Sequence, residues 1–222
     1  RIYGARVYSF PWCDDFSAAR NFGLEKAGGD WILILDADEI IDRKDQSHVR
    51  DLLVRYRHKP VALSFETRNY SYLANGLNWQ VNDGSYPKHE AGLGWFPSNK
   101  VRLFPRSKAV RFSYPVHELV EPAIKKAGIS ISECKVPIHH YGNLNEERNR
   151  TKAQQYFNLG YAKLEQMGND TVALRELAIQ AGQIERWPES IELWLRFLSI
   201  CPDDGEAHAN MAGAYWQIGK YD

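Results

Sequence analysis

The chain has little cysteine, no net charge, no long apolar run and no initiating methionine. Each shortage excludes something. Cys13, Cys134 and Cys201 are odd in number and far apart, so neither a disulfide framework nor a metal-binding cysteine pair is readable. A reducing compartment, and with it the cytoplasm or the inner face of a membrane, is the expectation. Lys plus Arg number 28, as do Asp plus Glu, for a formal charge of +0. That balance argues against nucleic acid as a partner but leaves room for a small anion site. No apolar stretch approaches the ~20 residues of a membrane span. The chain opens at Arg1 in "RIYGARVYSF" and stops at "QIGKYD", inside a helical pattern. Both ends look cut, and a piece of a longer protein is expected.

What the sequence does have begins with aromatics, at 13%, including seven tryptophans. Such a payload fills cores and also builds stacking platforms for sugar-like ligands. "ARVYSF" reads as a short strand and "DDFSAARNFGLEKAGG" as a helix, with Asp14 or Asp15 at its start and Gly28-Gly29 at its end. "WILILD" follows as a strand without alternation, which predicts burial on both faces. Strand, helix, strand at this spacing predicts a βαβ unit in a parallel sheet. "SHVRDLLVRYRH" is a second amphipathic helix, and "VALSFETRNY", "KVRLFP" and "SISECKVPIHHY" are further strands. Residues 73–98, rich in Gly, Asn, Pro and aromatics, read as a long functional loop region.

From about Glu146 the pattern turns helical and repeats. "ALRELAIQAGQIERW" (173–187) aligns with "AHANMAGAYWQIGKY" (207–221) at a spacing of about 34 residues, the period of the tetratricopeptide repeat. Ala173 matches Ala207, Ala178 matches Ala212, and Ile184 matches Ile218. The expected division is 1–145 for an α/β domain and 146–222 for helical repeats, the last of them incomplete.

The chemistry centres on "GDWILILDADE". An apolar run ends in Asp36, Asp38 and Glu39. In a strand, residues two apart share a face, so Asp36 and Asp38 are expected to converge beyond its carboxyl end. Two adjacent carboxylates repel, and a divalent cation relieves that. Hard oxygen ligands favour Mg2+ or Mn2+ over zinc. The plainer alternative is that the acids cap a turn or pair with Arg43 and Lys44.

"WCDDFSAARNFGLEKAGGDWILILDADE" resembles the central segment of a glycosyltransferase family 2 domain, of the GT-A, Asp-x-Asp type. "KVRLFP", "VHELVE" and "IHHYG" resemble the branch of that family with C-terminal tetratricopeptide repeats. The resemblance implies a Rossmann-like GT-A fold and a metal-dependent transfer of sugar from a nucleotide-diphosphate donor, usually with inversion. It implies Asp38 on the cation, Asp36 on the ribose or the metal shell, and His140, rather than His139, near the metal or diphosphate. Arg20 and Asn21 resemble the Arg-Asn pair that supports the acidic loop and contacts the cofactor. The acceptor is a glycan, a lipid-linked group or a protein, and the repeats offer a surface for a protein partner. Family members open with a nucleotide-cradling strand and an acidic turn. Nothing of that kind precedes Arg1, so this piece is expected not to turn over alone.

An acceptor hydroxyl needs a base. Glu118 in "YPVHELVE" is the candidate, with His117 orienting it or the acceptor; Glu121 and Asp83 are weaker alternatives. Arg102 reads as structural first. Trp79, Tyr86, Trp95 and Phe96 suggest an acceptor cleft or a packed loop. Two other readings compete. One is a non-catalytic tetratricopeptide scaffold built on a degenerate transferase domain. The other is a metal-dependent phosphoester hydrolase, for which the histidines are too scattered.

Overall fold

A computed structural model describes residues 4–74 and 78–220. Side chains at 146–150, 162–163 and 165–167 are outside the description. The readings that touch residues 1–3, 75–77 and 221–222 also fall outside it.

Contacts divide the chain into two compact units: Arg1–Cys13, Ser17–Tyr114 and Glu118–Glu146 in the first, and Asp14–Phe16, Pro115–His117 and Glu147–Asp222 in the second. The first is a mixed sheet with helices. Its elements run α1 (Phe16–Lys26), β1 (Trp31–Leu33), β2 (Glu39–Ile40), α2 (Arg43–Arg55), β3 (Val61–Ser71), β4 (Gln80–Val81), β5 (Gly94–Pro105), α3 (Glu121–Lys126) and β6 (Ser130–His140). The sheet order is β1-β5-β3-β6-β2, with β4 paired to the start of β5.

Alternation along β3 explains the layers. Val61, Leu63 and Phe65 point to one apolar cluster with Val49 and Ile138. Ala62 points to the other, with Leu24, Phe104 and Ile124. The sheet is thus covered on both faces. Each large apolar side chain fully buried this way contributes about 1.5–3 kcal/mol.

Several expectations fail here. Within 5–10 the residues form no strand, and Val7 is 75% exposed. Strand hydrogen bonds need a neighbour, and this segment has no ladder partner among the described residues. No parallel βαβ unit is built from 5–33: β1 pairs antiparallel with β5, Trp31 opposite Pro105. The parallel pair in the sheet is β3 with β6. β1 is an edge strand, so Ile32 is buried while Leu33 and Leu35 are exposed, and burial on both faces is not found. The loop region at 73–98 is shorter than expected, since β4 and the start of β5 fall inside it.

The second unit is helical: α4 (Glu146–Met167), α5 (Thr171–Gln183), α6 (Trp187–Leu198) and α7 (Gly205–Gln217). The sequence repeat has a physical counterpart at the helix starts. Asp170 caps α5 by accepting the Ala173 N–H at 2.9 Å, and Asp204 caps α7 by accepting the Ala207 N–H at 2.9 Å. Leu174, Leu177, Trp194 and Phe197 fill the core between these helices. Ala178 is buried, while its repeat partner Ala212 is exposed.

Candidate active site

The acidic segment is a turn, not a strand. β1 ends at Leu33, and the chain closes on itself between Asp36 and Glu39. The Glu39 N–H donates to the Asp36 carbonyl at 3.1 Å, and the Asp36 N–H donates to Glu39 Oε2 at 2.9 Å. Glu39 therefore secures the turn with its own side chain. Period-two alternation does not apply to Asp36 and Asp38, because the backbone between them is folded rather than extended.

The two aspartates meet different partners. Asp36 Oδ1 accepts from Arg20 Nη2 at 2.5 Å, and its Oδ2 lies 3.8 Å from Arg102 Nη1. Arg102 donates to Glu39 Oε1 at 2.5 Å, and the side chains of both are almost wholly buried. Arg20 also donates from Nε to Glu118 Oε1 at 3.0 Å. Two guanidinium groups thus tie together three carboxylates, from α1, the turn, β5 and the loop before α3. Burial works to raise the Asp36 carboxyl. The Arg20 charge and hydrogen bond, with Arg102 and Lys100 behind them, outweigh it and hold the group below the usual carboxylate range. A cavity of about 50 Å³ opens beside this network, lined by Arg20, Asp36, Lys100, Arg102, Glu118 and Glu121.

Asp38 faces His140 instead. β2 pairs with β6 so that Glu39 lies opposite His140, and the Tyr141 N–H donates to the Asp38 carbonyl at 3.1 Å. This register brings Asp38 Oδ1 to 3.6 Å from His140 Nε2. The gap is too wide for a good hydrogen bond. Two ligands sharing one hard cation, each ~2.1 Å from it, stand about 3–3.5 Å apart. Gly142 keeps the space open: a Cβ there would lie 2.5 Å from His140 Nε2 and 2.9 Å from Asp38 Oδ2. Among the described residues no group of three or more His, Cys, Asp and Glu side chains is placed to hold a metal by itself. Asp38 and His140 could supply at most two ligands to a divalent cation, leaving the rest of its shell to other oxygens.

The other predicted residues are distributed as follows. Asn21 clips α1 to the strand region: its Nδ2 donates to the Phe112 carbonyl at 3.0 Å, and its Oδ1 accepts the Phe112 N–H at 2.9 Å. Glu121 accepts the Val101 and Val120 N–H groups, at 2.8 and 3.0 Å, so it braces the backbone. His117 belongs to the second unit, where Gln180 Nε2 donates to its Nε2 at 2.7 Å and Glu176 Oε2 lies 3.7 Å from its Nδ1. His139 is fully buried, hydrogen-bonded through Nδ1 to Tyr70 at 2.7 Å and stacked 4.8 Å from His89. Asp83 caps the local turn by accepting the Ser85 N–H at 2.9 Å. Tyr86 and Trp95 flank Arg68, their rings 5.1 and 4.6 Å from its guanidinium carbon.

Sequence reasoning missed Asn69. It sits on β3 in register with Phe96 of β5 and His140 of β6. Its Oδ1 lies 2.8 Å from His140 Nδ1. The available signal was an asparagine inside the β-rich run "VALSFETRNY", where Asn is disfavoured unless its side chain has a task. Glu39 is recognisable in the sequence as part of the acidic run, whereas its partnership with Arg102 depends on the fold.

The family model for Glycosyl transferase family 2 matches residues 1–114, just over half of the 222 residues. That stretch holds Arg20, Asn21, Asp36, Asp38, Asn69 and Arg102; Glu118 and His140 lie beyond it. A tetratricopeptide repeat-containing protein of Synechococcus elongatus is 28% identical over 223 residues, covering 97% of this chain. The chain spans 41% of that relative's length.

Proposed function

The chain belongs to glycosyl transferase family 2, and on that premise we propose that it moves a sugar from a nucleotide-diphosphate donor to an acceptor hydroxyl, with inversion and with Mg2+ or Mn2+ held by Asp38 and His140. The observation that carries the proposal is the 3.6 Å approach of Asp38 Oδ1 to His140 Nε2 over a glycine that no side chain can replace without collision. When bound, the cation supplies Lewis acidity toward a departing diphosphate.

The rest falls to the chain's own groups. Glu118 accepts the proton of the acceptor hydroxyl as the new C–O bond forms and the bond to the diphosphate breaks. Arg20 fixes Glu118 and Asp36 against each other. Asp36, already compensated by Arg20 and Arg102, serves the donor ribose or the waters of the metal shell. Asn21 supports the same loop through the Phe112 backbone. The helical repeats offer a protein partner or a protein acceptor its docking surface. The three cysteines are free, as suits a reducing compartment, and a cytoplasmic site of action is proposed. Among the described residues no helix is long and apolar enough to cross a membrane.

One observation favours the non-catalytic scaffold reading instead: Asp36 is tied to two arginines, and the cavity beside it is only about 50 Å³. Manganese-dependent release of sugar from a panel of nucleotide-diphosphate sugars, measured with the sequence upstream of Arg1 restored, decides between them. Transferase chemistry predicts release that Asp38→Ala abolishes. Equal rates in both proteins would leave the scaffold reading.

A further inference from the structure

We infer that Asn69 is a positioning residue that fixes the tautomer and orientation of His140, so that the imidazole presents Nε2 to Asp38. The metal-binding consequence rests on the function proposed above. The orientation itself does not.

Asn69 Nδ2 lies 2.9 Å from the Phe96 carbonyl, 3.3 Å from the Thr67 carbonyl and 3.0 Å from Ser98 Oγ. Carbonyl oxygens only accept, so the atom facing them must be the NH2 group. The amide therefore cannot be turned over, and Oδ1 is the atom that faces His140 Nδ1 at 2.8 Å. An amide oxygen has no proton to give, so Nδ1 must donate. In a neutral ring with Nδ1–H, the lone pair resides on Nε2. That lone pair faces Asp38 Oδ1 at 3.6 Å. Two electron-rich atoms this close are relieved by a cation between them or by a second proton on the ring.

The strands make this arrangement rigid. Asn69 is directly opposite Phe96 on β5 and His140 on β6, in the middle of the sheet. Carbonyl groups of two strands thus orient the amide, the amide orients the ring, and the ring orients a ligand lone pair. Outer partners of this kind fix the nitrogen that a metal meets.

The test reads the ring directly. Nitrogen-15 NMR of the metal-free full chain in mildly alkaline buffer distinguishes Nδ1–H from Nε2–H. The wild-type His140 is expected as Nδ1–H; finding Nε2–H overturns the inference without any variant. Asn69→Leu removes the acceptor at similar size and is expected to release the tautomer and weaken Mn2+ binding about 10- to 100-fold. Asn69→Ala removes the same acceptor with a smaller side chain and is expected to release the tautomer as well, which guards against a Leu variant that fails to fold. An Asn69→Leu protein that folds and still holds Nδ1–H, or binds Mn2+ as tightly as wild type, overturns the inference. A wild-type chain with Nδ1–H but no Mn2+ affinity supports the hold of Asn69 on the ring and defeats the metal reading alone.

Discussion

Arg20 Nη2 stands 2.5 Å from Asp36 Oδ1, and the same guanidinium reaches Glu118 through Nε. One arginine on α1 therefore decides where two acids from distant parts of the chain sit. Arg20→Ala is expected to leave Asp36 and Glu118 in mutual repulsion beside Glu39. Because the groups are partly exposed, solvent screening limits the stability loss to about 1–2 kcal/mol. Arg20→Lys is not expected to rescue, since one ammonium cannot serve both acids with a guanidinium's fixed geometry. Urea unfolding measures the stability loss. Equal midpoints for Arg20→Ala and wild type would show that the network adds nothing.

Gly142→Ala places a methyl group 2.5 Å from His140 Nε2. The site must open to admit it, and Mn2+ affinity is expected to fall at least tenfold, which corresponds to about 1.4 kcal/mol. Circular dichroism is expected to show an intact sheet, because the collision is with two side chains rather than with the backbone of β6. Calorimetric titration of Mn2+ checks this, and unchanged affinity would mean that the gap between Asp38 and His140 holds nothing.

His139 supplies a pH prediction. Burial, with the positive charges of His89 and Arg68 added, lowers its proton affinity to about 4. In the unfolded chain a histidine titrates near ~6.5. Above that pH neither state is protonated at this residue. As pH falls below ~6.5 the unfolded chain takes the proton first, so stability declines until the folded ring also protonates near 4. His139→Gln is expected to flatten that decline between about pH 6.5 and pH 4. Urea midpoints across the window measure it; parallel curves for the two proteins would refute the assignment.

The repeat caps predict matched losses. Asp170→Ala removes the acceptor for the Ala173 N–H and is expected to cost about 1 kcal/mol, with Asp170→Asn nearly neutral. Asp204 differs, because Arg175 pairs with it as well. The hydrogen bond from Ala207, with Arg175 behind it, holds the Asp204 carboxyl low. Its charge-dependent stabilisation is present above the unfolded value of ~3.9 and lost as pH falls through the lower folded value. The stability gap between wild type and Asp204→Asn is expected to close there. A gap that persists would place the effect in geometry rather than charge.

The sequence made some features legible for identifiable reasons. β3, β5 and β6 follow from apolar and β-branched runs, and the repeats from a spacing that recurs in matched aspartate caps. Asp38 and His140 both stand out in the sequence, but their meeting depends on the β2–β6 register, which neither segment encodes alone. The expected strand-like alternation of Asp36 and Asp38 missed the turn because Glu39 secures it from three residues away. Asn69 was hidden inside a strand, where its role depends on which neighbours the sheet supplies. Arg102 read as structural from sequence, and its buried pairing with Glu39 gives that reading a partner.

Under the proposed function, Asp38 and His140 share one divalent cation. Pulsed electron paramagnetic resonance of Mn2+ added to the full chain tests it most directly. The account predicts one bound ion per chain with a nitrogen hyperfine coupling, the coupling lost in His140→Ala and the binding lost in Asp38→Ala. A bound-ion spectrum without nitrogen coupling, or binding indifferent to both substitutions, would contradict it.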